Sequence, residues 1–371
     1  MTTTQPQPPT PGWQLKAFPL FTLLGWALIL ISFLIGLFVL TPTAAAYWGS
    51  NSKAVRDAAE AGSALLAQLQ TLGVTPRWLE PLTFVGVASF MLGIALEFST
   101  IPAVLKNRGQ VISAAFPLIV KLDSGGNKRS LPTEEKSPFP FNMVEGMMPM
   151  FPMIAVMGWM LVLIYLLIGA FALSPAQATF FSDAKAVREG ASAGSAFVQA
   201  NVASHVIEAW VPQFKFLGLG LGLLAIMMAL GTIAKRLRRM GQVISNHMPV
   251  ELRPATPPIP GRVRVFQLSA MMGVMILLAA LIIGIALAAG VVPAYWNHSI
   301  ASELNPAEPG SALLGQLGIV SSYAAWLDPL RMVGMAFLFT GITIALTVII
   351  GALRLQANIL VNFYQQASRR S

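Results

Sequence analysis

One ionisable side chain, that of Glu97, lies well inside a stretch that is apolar enough to cross a bilayer. A carboxylate at membrane depth is costly, so Glu97 is a candidate site for a proton or a cation. Lys106 and Arg108 follow shortly afterwards, and the equivalent positions in the repeats described below hold Ala229 and Ala345. This context favours a carboxylate that reaches the membrane surface or pairs with a base over a transport site.

Four methionines form a second candidate site, because their spacings of three, four and three residues place them on one helical face: Met150, Met153, Met157 and Met160. Thioether ladders can bind Cu(I), which is a soft ion. Methionine is also a common packing residue in apolar helices, and the chain has no cysteine to complete a copper site. The pattern favours packing and keeps copper handling as an alternative.

The chain offers little else for catalysis. Its three histidines are scattered, and His298 is read as an exposed loop residue because the other repeats lack a histidine there. There is no Walker loop, no GxSxG or HExxH motif, and no dinucleotide fingerprint. We therefore expect a protein that is not an enzyme and that has no cofactor and no metal centre.

An internal repeat reveals the elements that must position these residues. When the chain is shifted by 248 positions, about 20 of some 50 residues from Ala46 to Leu96 are identical, where chance would give roughly three. A third copy lies between these two, 132 positions from the first. Aromatic residues recur in the copies: Tyr47, Trp48, Trp78, Trp210, Tyr295, Trp296 and Trp326.

Six apolar stretches reach bilayer length, two in each copy: 19–40, 82–102, 149–173, 214–234, 268–290 and 330–353. The sequence thus predicts an all-α integral membrane protein of three tandem two-helix repeats with pseudo-three-fold symmetry. The predicted units are a disordered tail (1–17), repeat 1 (18–113), a connector (114–148), repeat 2 (149–246), a connector (247–266), repeat 3 (267–360) and a C-tail (361–371).

Basic residues are concentrated in the two tails and in the segments between repeats. By the positive-inside rule, both termini are predicted to be cytoplasmic, and the bacterial inner membrane is the preferred location. The net charge of +9 is thus a topology signal. Nucleic acid is not an expected partner, because the chain lacks a basic soluble surface with interleaved aromatic residues.

The three outer loops, 42–80, 174–211 and 291–328, are each predicted to carry an amphipathic helix. In the first loop this helix is expected over 52–72, followed by Trp78 as an interface anchor. Glu80-Pro81 and Asp328-Pro329 resemble an N-cap followed by an N1 proline, which would start each return helix. The middle loop lacks the acid, so its return helix is expected to start less sharply.

Two functional classes remain. The first is a non-enzymatic scaffold, assembly factor or accessory subunit, with the lipid bilayer and other membrane proteins as partners; apolar, glycine-rich helix faces favour it. The second is a transporter or channel with a pathway on the repeat axis, which carries a metal ion such as copper in one version. Nearly uncharged spans favour the first class. Any site is expected where the three loops converge on the outer face.

Overall fold

The computed structural model describes residues 13–49, 53–119, 138–246, 261–298 and 312–370. Within these ranges the chain is helical and contains no strand. Seven long helices are labelled in chain order: α1 (Trp13–Ile35), α2 (Ala64–Ile119), α3 (Phe151–Ile168), α4 (Ala196–Trp210), α5 (Pro212–Asn246), α6 (Gly261–Ala289) and α7 (Ala312–Arg370).

Shorter helical segments join the long helices: Gly36–Leu40, Thr41–Ala44, Ala45–Gly49, Lys53–Asp57, Phe141–Met147, Met148–Met150, Gly169–Leu173, Ser174–Phe180, Lys185–Glu189 and Val291–Trp296. Six helical stretches are long and apolar enough to cross a membrane: Pro19–Trp48, Ala64–Ser99, Phe141–Phe180, Ala196–Gln242, Gly261–Trp296 and Leu330–Leu353. The six predicted spans fall on these stretches, because twenty apolar residues form a membrane-crossing helix by length and composition alone.

The predicted tail and connectors are only partly covered by the described residues. The assignment of 1–17 as a disordered tail is wrong for its last five residues, because α1 begins at Trp13. The two connectors predicted at 114–148 and 247–266 are described only over 114–119, 138–148 and 261–266. The helices leading into them extend further than the spans do, to Ile119 and Asn246.

The first amphipathic helix, predicted over 52–72, is two helices. The segment Lys53–Asp57 ends in a turn, and α2 begins at Ala64. Gly62 lies between them with a φ of 78°, in the left-handed region that favours glycine. The hydroxyl of Ser63 then accepts a hydrogen bond from the amide of Leu66 and caps α2. Local turn chemistry therefore interrupts the apolar periodicity.

The predicted helix starts at Glu80-Pro81 and Asp328-Pro329 are also wrong. Both pairs lie inside long continuous helices, α2 and α7. The middle copy, expected to start less sharply, is the one with a break, because Val211 separates α4 from α5. Proline inside a membrane helix is tolerated when neighbouring groups satisfy the freed carbonyl, so the proline signal did not mark a boundary.

Helix α5 forms the centre of the molecule. Three antiparallel pairs, α1–α2, α3–α5 and α6–α7, make the largest contacts, and α5 also packs against α2, α6 and α7. Among the described residues α2 and α7 share at most a marginal contact, so the three long return helices lie in a row with α5 in the middle. Of the most apolar 18 residues in each span, 72% are buried for α5 and 11% for α1.

A glycine pair brings the backbones together in each of the three helix pairs. A Cβ atom on Gly25 would lie 2.9 Å from the carbonyl oxygen of Gly86, and one on Gly158 would lie 2.5 Å from that of Gly218. In the third pair, a Cβ atom on Gly273 would lie 2.9 Å from the carbonyl oxygen of Gly334. Small residues allow such close packing in lipid, where apolar burial supplies no driving force.

Candidate functional site

Glu97 lies on the exposed surface of α2, two turns from the first basic residue that follows it. The equivalent Ala229 and Ala345 are buried in the core between helices. The structure therefore places the carboxylate outside the helix interfaces, where a transport site on a central axis would need it inside. This placement fits a carboxylate that reaches the membrane surface.

The four methionines of the predicted face share one environment, the outer surface of α3. Between 46% and 59% of each is exposed: Met150, Met153, Met157 and Met160. They neither fill the core nor line an interior path. Because methionine is flexible and polarisable, this face is suited to lipid chains or to the irregular surface of another helix.

The recurring aromatic pairs end the first helix of each repeat, and a basic or aromatic neighbour covers them. Tyr47 is buried and Trp48 is exposed, with the Arg56 guanidinium 4.8 Å from the Trp48 ring. In the second copy Arg188 lies 5.1 Å from the ring of Phe180. Burial lowers the pKa of the Arg188 guanidinium, and the nearby acids oppose that shift.

The third copy has a different cover. Tyr295 is buried, and Trp296 stacks on the imidazole of His205 with ring centroids 3.6 Å apart. His298 lies exposed beside them, with Nδ1 2.9 Å from the carbonyl oxygen of Tyr295. Cation–π and stacking contacts hold the loop segments over the helix ends, so these predicted candidates have a structural role.

The three recurring tryptophans of the outer loops are not equivalent in their surroundings. Trp78 and Trp210 are half-buried, whereas 48% of Trp326 is exposed. Trp210 packs edge-on against Phe214 at 5.4 Å. Trp78 and Trp326 lie inside α2 and α7, and Trp210 is the last residue of α4, so the interface belt stays a prediction.

A set of polar and charged side chains at this end of the bundle, with the buried cations Lys215 and Arg331 at its centre, is the main feature that the sequence patterns did not reveal. We call it the polar end: Arg77, Glu80, Glu208, Gln213, Lys215 and Arg331. Lys215 lies one turn into α5, and its Nζ atom is 2.6 Å from Glu80 Oε1. The Lys215 side chain is 10% exposed and that of Glu80 is 55% exposed.

Aromatic rings surround the Lys215 ammonium group. The ring centroids of Phe84, Phe216 and Tyr165 lie 4.3, 5.0 and 5.5 Å from Nζ. Desolvated cation–π contacts are worth about 2 kcal/mol, and they offset part of the cost of placing an ammonium among apolar helices. The cation joins α5 to α2 and to α3.

A second cation joins α5 to α7. Arg331 is 4% exposed, and its Nε donates to the Oε1 atom of Gln213 at 2.7 Å. The ring of Phe216 lies 5.4 Å from the Arg331 guanidinium. Gly284 of α6 makes room for Gln213, because a Cβ there would meet the amide nitrogen at 2.7 Å. The amide and the guanidinium therefore fix the register of three helices.

Helix α4 extends the polar end across the loops. Arg77 of α2 forms an ion pair with Glu208 of α4. His205, one turn earlier, lies 3.8 Å from Glu208 and stacks on Trp296 of the third repeat. The middle loop helix therefore contacts the first and third repeats. The convergence of three repeated loops on an outer face stays a prediction, and the side chains here make an ion pair and a ring stack.

A repeat-level signal could have identified the two cations. Lys215 and Arg331 occupy the same position of their repeats, 132 and 248 residues after Thr83. In the first copy that position is a threonine whose hydroxyl bonds its own helix, at the Leu79 carbonyl. Because the first copy is neutral there, the sequence shows no three-fold recurrence of charge at this position. The partners Glu80 and Gln213 come from neighbouring repeats, which spacing alone does not reveal.

An open apolar cleft of about 410 Å³ lies between α1 and α2 beside Glu80. Ser32 and Thr83 are its small polar contributions, and both hydroxyls bond carbonyl groups of their own helices. Across the described parts of the chain, no group of three or more His, Asp or Glu residues could hold a metal ion. The polar end thus offers ion pairs and aromatic contacts.

No protein-family model, no curated protein and no solved structure matches this chain.

Proposed function

We propose that this protein is a non-enzymatic, multi-pass subunit of a larger membrane complex, acting as a scaffold, assembly factor or accessory component. The filled centre of the bundle carries this proposal. Helix α5 occupies the position that a pathway on a repeat axis would need, and its fully or almost fully buried Ala225, Met227 and Ala229 contact neighbouring helices.

The buried polar groups support the same function. Lys215 and Arg331 are held by side chains of neighbouring helices, and the four methionines and Glu97 face outward. A conducting path normally shows a polar or charged lining with room for its ion. In the described part of the chain the helices pack closely around α5, which supports functional surfaces on the outside.

The exposed methionine face of α3 is the surface that fits a partner helix best. Methionine is enriched in the buried parts of protein interfaces, because its flexible thioether adapts to irregular neighbours. The glycines that the sequence offered for partners are used inside the chain instead, in the pairs around Gly158 and Gly218.

The test is affinity purification of tagged protein from its native membranes in a mild detergent. We expect a membrane protein to co-purify in a fixed ratio and to be lost with Met153→Ala/Met157→Ala. The control is Leu278→Ala/Ile282→Ala on α6, which removes equally exposed apolar side chains elsewhere. Retention of the partner by the methionine variant would exclude this face.

The alternative, a transporter or channel for a metal ion such as copper, makes a different prediction. Purified protein in liposomes should then move the ion, and Glu97→Gln or the methionine variant should abolish the flux. Our proposal expects no flux and a silent Glu97→Gln. Flux by the purified chain that Glu97→Gln abolishes would replace the subunit function with transport.

We also infer that the chain consists of three tandem two-helix repeats. The three glycine crossings support it, because Gly86, Gly218 and Gly334 hold the same repeat offsets as the aromatic residues. Pseudo-three-fold symmetry requires α2 and α7 to approach each other. Cysteine pairs engineered across that gap would crosslink if the ring closes and stay reduced if the row described above persists.

We place the protein in a bacterial inner membrane with both termini in the cytoplasm, on the basis of its basic connectors. The chain has no cysteine, so single cysteines report cleanly. An impermeant thiol reagent added to intact cells should label Ser52→Cys and leave Ser245→Cys unlabelled. The reverse pattern would invert the topology.

A further inference from the structure

A pocket of about 150 Å³ opens at the other end of α5, between that helix and the segments Phe141–Met147 and Met148–Met150. We call it the basic pocket. Its polar lining comes from five side chains: Glu145, Thr232, Lys235, Arg236 and Arg239. Met148 and Pro149 form an apolar wall. The pocket lies outside the polar end and plays no part in the proposed function.

The pocket has a net positive charge. Lys235 Nζ lies 2.9 Å from Glu145 Oε1, and this pair is neutral. Arg236 and Arg239 are exposed, and the polar lining as a whole carries three basic side chains against one acid, a formal net charge of +2. The Thr232 hydroxyl lies 2.9 Å from the Met228 carbonyl oxygen of its own helix and 3.4 Å from that of Met148. This net positive charge favours the binding of an anion.

The depth of the pocket selects the kind of anion. It starts where exposed basic side chains first appear on this part of α5, since Ile233 and Ala234 are buried and Lys235 is exposed. Basic pockets between membrane helices at this level bind phosphate headgroups of anionic lipids.

We propose that the basic pocket binds the phosphate headgroup of an anionic phospholipid, with Arg236 and Arg239 as its main contacts. Lys235 contributes less, because Glu145 already neutralises it. The lipid lies in the leaflet at the basic end of the bundle, with its acyl chains in the bilayer beside the helix pair α3–α5.

The experiment measures lipid binding to the purified full-length protein in mild detergent, by native mass spectrometry. The probes are phosphatidylglycerol and phosphatidylcholine with identical acyl chains. We expect one phosphatidylglycerol to bind about 20-fold more tightly than phosphatidylcholine, and Arg236→Ala/Arg239→Ala to remove that preference. The matched control is Arg262→Ala/Arg264→Ala, two exposed arginines at the start of α6 that should keep the preference within about two-fold.

A gain-of-affinity variant keeps the test decisive if the arginine variant misfolds. Glu145→Gln removes the acid that neutralises Lys235, so phosphatidylglycerol should bind about five-fold more tightly. Glycerol phosphate, a soluble headgroup, should not compete at equal concentration. Equal losses in both arginine variants, unchanged binding in Glu145→Gln, or full competition by glycerol phosphate would each overturn the lipid site.

Discussion

The two ends of α5 use the same type of side chain in opposite ways. At the polar end Lys215 is almost fully buried, among aromatic rings and against Glu80. About 30 Å further along the helix, Lys235 and Arg236 are exposed around an open pocket. One end joins neighbouring helices, and the other presents positive charge around an open pocket.

The difference shows that burial, and not charge, decides what a basic residue contributes to this fold. A buried cation left without its partner is strongly destabilising, because its desolvation is no longer compensated. An exposed cation at the membrane surface stays hydrated, so its removal affects attraction to anionic lipids more than it affects folding. Substitutions at the polar end should therefore change stability, and those at the basic end should change lipid binding.

The largest effect is expected from Arg331→Ala. The substitution leaves the buried Gln213 carbonyl oxygen without this donor and creates a void between α5 and α7. We expect a loss of about 3 kcal/mol in the free energy of unfolding. The measurement is an SDS titration in mixed micelles, followed by tryptophan fluorescence. A loss as small as that of an exposed arginine would remove the distinction between the two ends.

A somewhat smaller effect is expected from Gly158→Ala, midway between the two ends. The new methyl group would press on the Gly218 carbonyl and separate α3 from α5, at a cost of about 2 kcal/mol. Gly315→Ala in α7 is the control, because a Cβ there meets nothing within 4 Å. The control should be neutral or stabilising in the same titration. An equal free energy of unfolding for the two variants would show that α3 and α5 can accommodate a methyl group where they cross.

Glu80→Gln tests the ion pair itself. Because half of the Glu80 side chain is exposed, water can partly replace it, and we expect a loss of about 1–2 kcal/mol. Lys215→Met in the Glu80→Gln background should recover most of that loss, since it removes the uncompensated cation. A double-mutant cycle measures the coupling. If the two changes in the free energy of unfolding were purely additive, the ion pair would contribute nothing to the packing of α2 against α5.

The smallest effect is expected from Arg236→Ala/Arg239→Ala in neutral detergent. Both side chains are exposed, so the free energy of unfolding should change by no more than about 0.5 kcal/mol. The same titration in phosphatidylglycerol-containing micelles should show a clear loss relative to the parent protein. A large loss in neutral detergent would assign these arginines to the fold.

The membrane-length helices were predictable because their signal, apolar length, is local. The helix starts were not, because a local start signal competes with the helix that precedes it. The six spans follow from apolar length. Glu80-Pro81 failed as a helix start, because α2 was already formed from Ala64 onward and could absorb the proline. Conversely, the Gly62-Ser63 pair does start α2, through a left-handed glycine and a serine cap that the periodicity argument had overlooked.

The sequence by itself determined the six membrane helices, the crowding of basic residues outside them and the recurrence of aromatic and glycine positions, because hydropathy, charge and identity are properties of each segment alone. Only the tertiary structure decided which basic residues are buried. Lys215 and Arg331 share a repeat position with Thr83, yet their partners Glu80 and Gln213 come from adjacent repeats. Burial and pairing depend on which helix lies opposite, and that is fixed by packing around α5.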